Sequence, residues 1–182
     1  MSLFEIVAAP FEGSVKVIRS QRAKDFRGFL AVSYLENEMK DFGIPPLVRD
    51  FRTRSHKRVL RGLHYQSTPP MGKLIQVTRG SAFIAIVDFR QTSPTFLEHI
   101  GLQHKGTDGL QVWIPPGFLL GYQALEELDM QYKTSAYFDD RGDSAIRWND
   151  ARINIKWPLD RPILSPRDLT APTISQYFGA TE

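Results

Sequence analysis

The chain alternates short apolar runs with polar breaks and offers few stretches of helical period. Candidate strands cover 15–19, 27–35, 48–53, 58–66, 72–78, 81–90, 97–103, 110–116, 121–127, 129–138 and 144–150. They are rich in Val, Ile, Phe and Tyr and are separated by Gly, Pro or Asp. That spacing predicts an antiparallel sandwich or barrel. Residues 35–43, LENEMKDFG, predict a short helix ending at Gly43, and 165–178 predict one more. Arg79-Gly80, between two β-rich runs, reads as a two-residue hairpin turn. Pairing Thr78 with Ser81 would set Lys73 opposite Ile86, and would make Lys73 and Asp88 diagonal neighbours on one face. A buried charge needs a partner, and that pair would supply one.

One strand carries an unusual load. In LRGLHYQ (60–66), a regular period of two sends Arg61 and His64 to opposite faces. Gly62 lies between them, and a glycine inside a strand marks a bulge or a close backbone approach. A bulge there would change the register and aim both side chains into one cavity. Taken alone, the spacing favours a hydrogen-bonded core histidine and a surface arginine.

Composition narrows the function classes. The chain has 182 residues, with 42% hydrophobic and 24% charged, which fits one soluble globular domain. The net charge of +3 comes from Lys and Arg scattered among Asp and Glu, so no nucleic-acid footprint is expected. With no cysteine, disulfides, thiolate metal sites and cysteine nucleophiles are excluded. No run approaches the roughly 18 apolar residues of a membrane span, and the N-terminus lacks a basic region before an apolar core. A cytoplasmic protein without a membrane partner is expected. A metal site needs three or four converging ligands. His64 has no HxH partner, His56 sits in a basic loop, and His99 and His104 are five apart, so no metal is expected.

In chain order, RGLHYQ, PPMGKLIQVTRGSAFIAIVDFRQTSPTF, QVWIPPGFLLGY, MQYKTSAYF, IRWND, INIKWP and ILSPRD resemble the nucleotide-linked 4-dehydrorhamnose 3,5-epimerases, the RmlC-like cupins. The resemblance runs from about Phe26 to Pro172. It implies an all-β double-stranded β-helix (jelly-roll) barrel with a few short helices. It also implies a homodimer, no cofactor, and a nucleoside-diphosphate 4-keto-6-deoxyhexose as substrate. Residues 1–182 would form a single domain. Strands in about 1–55 would contribute to the dimer, about 56–160 would form the barrel, and 161–182 a C-terminal segment.

The resemblance also implies roles. His64 is the base that removes a proton alpha to the ketone, and Asp168 in SPRD orients it. Lys73, with Arg61 nearby, stabilises the enolate oxygen. Tyr132 in MQYK returns a proton on the opposite face, and Arg27 in DFRG contacts the nucleotide phosphate. Gln66 belongs to the same substrate-binding set. Asp143 stands where the family usually has a glutamate, and Arg167 where it often has a lysine. The departures are specific. The family's PPGFAHGF is PPGFLLGY here, so a site histidine is Leu120; its glutamate five residues after the RG arginine is Val32. Its QDN is RDF, Arg49-Asp50-Phe51, at positions that contact the nucleotide. These changes leave open a CDP-linked or 3-deoxy substrate, a mono-epimerase, or a non-catalytic sugar-nucleotide-binding cupin.

Overall fold

Two short sheets share one apolar interior, and the alternation of side chains along their strands decides what each face meets. The structure is a computed structural model describing residues 2–179. Met1 and the last three residues of the expected 161–182 segment lie outside the described residues. The strands are β1 (Phe4–Ala8), β2 (Lys16–Ser20), β3 (Arg22–Asp25), β4 (Gly28–Ala31), β5 (Arg49–Ser55), β6 (Leu60–Gln66) and β7 (Lys73–Arg79). They continue as β8 (Ser81–Asp88), β9 (His99–Lys105), β10 (Leu110–Ile114), β11 (Phe118–Ala124), β12 (Leu128–Thr134) and β13 (Asp143–Ala145). The helices are α1 (Glu36–Asp41), α2 (Pro166–Leu169) and α3 (Ile174–Tyr177). The expected tail helix is thus two short turns, and β1 and β3 are strands the pattern of apolar runs did not predict.

A six-stranded sheet has the order β1-β2-β10-β7-β12-β5, and a five-stranded sheet the order β13-β6-β11-β8-β9. All the strand pairs are antiparallel. The two sheets pack face to face over Ile75, Val77, Val112, Ile114, Leu128 and Met130 from one and Ile84, Ile86, Leu120 and Tyr122 from the other. The fold is the expected jelly roll, built as two open sheets rather than a closed cylinder. Outer faces are covered too. Leu74 and Trp113 pack with Met39 of α1, and Leu119 and Val87 pack with Ile153, Ile155 and Ile174. Burial on both sides explains why β8 and β11 are almost continuously apolar.

The N-terminal third is woven into the six-stranded sheet, since β2 pairs with β10 and β5 with β12. No layer separates residues 1–55 from the rest. Only β3–β4 stands apart as a two-stranded ribbon, and it exposes Phe26, Phe29 and Leu30.

The Arg79-Gly80 hairpin is not formed. The two strands beside it go to different sheets: β7 pairs with β10 and β12, and β8 with β9 and β11. Arg79-Gly80 is a corner between layers, where Gly80 has φ +75° and a Cβ would lie 2.0 Å from the Glu127 carbonyl oxygen. Lys73 therefore does not face Ile86 or Asp88. Asp88 is fully buried and satisfied locally instead. It accepts from Arg90 Nη2 (2.7 Å), Arg90 Nε (2.9 Å), Ser93 Oγ (2.6 Å) and Thr95 Oγ1 (2.6 Å). Burial alone would push its carboxyl up, but these four donors hold it well below the usual carboxylate range.

Asp88→Ala is expected to destabilise the fold by about 2–4 kcal/mol in urea unfolding, because Arg90, Ser93 and Thr95 lose their common acceptor. The folded value is depressed, so this stabilisation is complete above about pH 4 and is lost as pH falls through the folded value. Acid titration of stability should be flatter in Asp88→Asn than in the parent.

Candidate active site

The cavity opens between the two sheets and has a volume of about 280 Å³, near the lower end for ligand sites. A ligand as large as a nucleotide sugar must extend through its mouth. Arg61, His64 and Gln66 of β6 line one wall with Leu120 and Tyr122 of β11, and Lys73, Tyr132 and Thr134 line the other with Arg49, Phe51 and Thr53 of β5. Met71, Phe138, Asp143 and Arg167 complete it.

The bulge at Gly62 is present. Leu120 pairs with His64 and Tyr122 with Arg61, so β6 carries one residue more than β11 over this stretch. Arg61 and His64 consequently line one cavity, and Leu63 and Tyr65 turn to the outer cluster. Gly62 has φ +124°, and a Cβ there would lie 2.6 Å from Gly121 Cα and 2.8 Å from the Leu120 carbonyl oxygen. Only glycine meets both demands.

His64 Nε2 and Asp168 Oδ1 are 2.5 Å apart. His64 keeps 28% side-chain exposure and Asp168 only 2%, so the imidazole reaches a ligand and the carboxylate does not. Asp168 is fixed from α2, where the Ser165 hydroxyl accepts from the Asp168 amide (3.1 Å) and donates to Oδ2 (2.9 Å). Burial pushes the Asp168 carboxyl up; hydrogen bonds from His64, Ser165 and the Gly62 amide outweigh it and hold the group ionised below its usual range. A carboxylate on Nε2–H leaves the lone pair on Nδ1, the arrangement of a histidine base with an orienting partner.

Across the cavity, Tyr132 is buried and stacks on Phe51 with centroids 4.8 Å apart and planes 6° apart. Its hydroxyl lies 4.0 Å from the weak acceptor Met130 Sδ. Burial pushes this phenol well above its ordinary value, Tyr122 adds to the rise, and Arg61 and Thr53 oppose it. Tyr132 is therefore a protonated hydroxyl over the whole physiological range. Lys73 donates to the His64 carbonyl at 3.3 Å. Burial pushes its ammonium down to about 8, Asp143 opposes that, and Arg167 adds to it.

Other expected site residues are distributed unevenly. Arg167 Nη1 and Asp143 Oδ2 are 2.5 Å apart. Arg49 and Phe51 line the cavity, and Leu120 forms an apolar patch opposite His64. Gln66 lines it as well, but its amide is occupied. It donates to the carbonyls of Pro69 (2.9 Å) and Tyr137 (3.0 Å) and accepts from the Asp139 amide (3.0 Å). It is a latch for two loops. Arg27 is not brought to the cavity of its own chain: it lies on the exposed β3–β4 ribbon and pairs with Asp25 at 2.6 Å. Val32 packs with the outer cluster around Trp113. Among the described residues, no three His, Asp or Glu side chains converge as metal ligands.

A polar chain under Tyr132 escaped the sequence reading. Arg61 Nε donates to Ser55 Oγ (3.2 Å), and the Tyr122 hydroxyl lies 3.0 Å from Ser55 Oγ and 3.1 Å from Thr53 Oγ1. A guanidinium only donates. Each buried hydrogen finds an acceptor if Ser55 donates to Tyr122 and Tyr122 to Thr53, which leaves the Thr53 proton for the cavity. The signal was the alternation Phe51, Thr53, Ser55 on one face of β5.

Three comparisons bear on this geometry. The family model described as dTDP-4-dehydrorhamnose 3,5-epimerase matches residues 11–176. A dTDP-4-dehydrorhamnose 3,5-epimerase of Pseudomonas aeruginosa is 39% identical over 148 residues, covering 79% of this chain and 82% of the relative. One of Neisseria gonorrhoeae is 36% identical over 165 residues, covering 89% of this chain; the chain spans 50% of that relative's length. The crystal structure of dTDP-6-deoxy-D-glucose-3,5-epimerase RmlC from Legionella pneumophila, in complex with dTDP-4-keto-L-rhamnose, is 36% identical. It superposes with a TM-score of 0.90 over 93% of this chain and 92% of that one.

Gly62→Ala is expected to cost roughly 3 kcal/mol or more, from backbone strain and overpacking against Gly121 together. Thermal unfolding and soluble yield are the measurements. An unchanged melting temperature would contradict the bulge.

Proposed function

The chain belongs to the dTDP-4-dehydrorhamnose 3,5-epimerase family, and on that premise we propose that it epimerises a nucleoside-diphosphate 4-keto-6-deoxyhexose at C5, C3 or both. The reaction runs through an enolate, needs no metal or other cofactor, and serves deoxysugar biosynthesis. The observation that carries this reading is the His64–Asp168 pair on one wall of a cation-lined cavity, with protonated Tyr132 on the other.

The chemistry follows from the two walls. A hydrogen alpha to the C4 ketone is acidic because its removal gives an enolate. His64 Nδ1 takes that proton, and Asp168 stabilises the resulting imidazolium. The electron pair moves to the C4 oxygen, where the charges of Lys73 and Arg61, which line the same cavity, compensate it. Tyr132 then protonates the carbon from the opposite face, which inverts it. Solvent reprotonates the tyrosine and deprotonates the histidine.

We read the working form as a cytoplasmic homodimer. The exposed aromatic ribbon supports the dimer: Phe26 is 98% exposed on β3–β4, beside Arg27, and a second copy would cover it and carry Arg27 toward a partner's cavity. Leu120 favours a second reading, a mono-epimerase or an enzyme of a 3-deoxy sugar, because an apolar side chain sits opposite His64 where a histidine is usual.

Proton NMR in D2O with dTDP- and CDP-linked 4-keto-6-deoxyglucose tests the proposal. Deuterium uptake at C5 and C3 is expected, at one carbon only for a mono-epimerase; binding without exchange would sink the enzymatic reading. His64→Ala should abolish exchange at every alpha carbon. Tyr132→Phe should retain exchange and lose inversion by about 10²-fold or more.

A pH dependence follows from Lys73. Its charge is present below about pH 8 and is lost as pH rises through that value. The rate should fall along that alkaline limb, and Lys73→Gln should lower kcat/KM by about 10²-fold and flatten the limb. For stability the sign is reversed: between pH 8 and the unfolded value near 10.4, the burial cost of this ammonium is progressively relieved.

A further inference from the structure

Tyr122 spans the interior between the two sheets. Its backbone belongs to β11, beside Ile84 of β8 and Arg61 of β6. Its hydroxyl reaches β5 of the opposite sheet, 3.0 Å from Ser55 Oγ and 3.1 Å from Thr53 Oγ1. A phenylalanine would fill the same space. A buried hydroxyl is costly unless it is hydrogen-bonded, and only 2% of Tyr122 is exposed. The direction of the bonds follows from one fixed end. Arg61 only donates, and it occupies a lone pair of Ser55 Oγ. Ser55 then donates to Tyr122 and Tyr122 to Thr53, so the Thr53 proton is turned away from both. A hydroxyl by itself rotates to suit its surroundings; these three are each held in one orientation.

Register brings Thr53 beside Tyr132. Thr53 pairs with Met130, two residues before Tyr132 on β12. The Tyr132 hydroxyl leans back over that position, 4.0 Å from Met130 Sδ, so its oxygen stands level with Thr53. Burial raises the Tyr132 phenol and Tyr122 adds to the rise, while Arg61 and Thr53 oppose it. The opposite signs of the two hydroxyls match the bonding order. Tyr122 has committed its proton to Thr53 and presents an oxygen, whereas Thr53 has a proton left to offer a phenolate.

We propose that Tyr122 is a positioning residue for proton return: it accepts from Ser55, donates to Thr53, and so holds the Thr53 hydroxyl as a donor toward the Tyr132 oxygen. The inference rests on the epimerase reading and deepens it. In the step concerned, the Tyr132 O–H bond breaks and a C–H bond forms at the enolate carbon. The enolate electrons make that bond, the C4 carbonyl is restored, and the O–H pair stays on Tyr132 as a phenolate. The Thr53 proton is not transferred. It meets the new charge as a hydrogen bond already oriented, so no hydroxyl has to turn while the charge forms. Return of a proton by His64 to the face it left creates no phenolate and does not draw on Thr53.

The ratio of inversion to exchange with retention separates the two faces. Full-length parent, Tyr122→Phe, Thr53→Val and Thr53→Ser are incubated in D2O with dTDP- and CDP-linked 4-keto-6-deoxyglucose. Proton NMR follows the initial entry of deuterium with retention and with inversion at each alpha carbon. Tyr122→Phe and Thr53→Val should each lower the ratio by about tenfold. The double variant should lose little more than either, since both remove the same donor. Thr53→Ser should recover most of the ratio, because it keeps the hydroxyl. In a Tyr132→Phe background, Tyr122→Phe should not lower the ratio further. A general loss of packing would slow exchange and inversion together and leave the ratio where it was. A ratio unmoved by Tyr122→Phe would overturn the proposal and leave the epimerase reading standing, as would additive losses in the double variant. A parent that exchanges without inverting would overturn the proposal too. A parent that exchanges no alpha proton would overturn both.

Discussion

A strand sends successive side chains to opposite faces, so two residues three apart cannot serve one cavity unless the strand breaks its own period. The extra residue at Gly62 is that break, and the remaining chemistry is hung on it. It turns Arg61 and His64 onto one wall and sends Leu63 into the outer cluster, where full burial anchors the strand. The close approach is possible because glycines meet from both sides: Gly121 opposes Gly62, and a Cβ on Gly121 would lie 2.8 Å from Leu63 Cδ2. The displaced backbone also presents the Gly62 amide to Asp168. One local irregularity thus sets His64, contributes to holding Asp168, and aims Arg61.

The cavity brings four cations together with apolar side chains and a few polar ones. Leu120, Met71, Phe51 and Tyr132 line the cavity with Lys73, and the burial of that ammonium strengthens its interaction with any developing negative charge. The same burial penalises the resting ammonium, and the depressed Lys73 value records that penalty. A two-layer fold with both outer faces covered can tolerate such a cost. Its order is fixed by hydrophobic burial, and separately by the Asp88 cluster outside the cavity.

Legibility in the sequence followed the range of each interaction. A strand such as β12 is readable because burial on a face imposes a local period, and β6 and β7 are readable from their short apolar runs bounded by polar breaks. The short β1 and β3 are largely exposed and carry no such period. The Arg79-Gly80 error has the same origin: a two-residue turn looks alike whether it joins neighbours or turns a corner between sheets. Gly62 announced its bulge, since glycine has a local meaning there. Asp168 lies 104 positions from His64, and no spacing rule spans that distance. It was found through the ordered motifs of a family. A motif match does not show how a side chain spends its hydrogen bonds: Gln66 lines the cavity with its amide occupied, and Arg27 pairs with Asp25 on the ribbon.

Two ionisable groups on facing walls must rest in opposite states for a carbon to be inverted. Burial cannot produce this by itself, because it disfavours the charged form of Asp168 and of Tyr132 alike. The difference lies in the donors each one meets. Asp168 receives His64, the Ser165 hydroxyl and the Gly62 amide, and remains a carboxylate. Tyr132 has a thioether sulfur at 4.0 Å and an aromatic ring against its face, and remains a phenol. After the phenol gives up its proton, the groups that favour the phenolate are Arg61 and Thr53. They are the two ends of the polar chain through Ser55 and Tyr122. In the proposed mechanism, the arginine that compensates the enolate on one side of the proton transfer therefore also compensates the phenolate on the other. As negative charge moves from substrate to tyrosine, a single fixed cation accompanies both states.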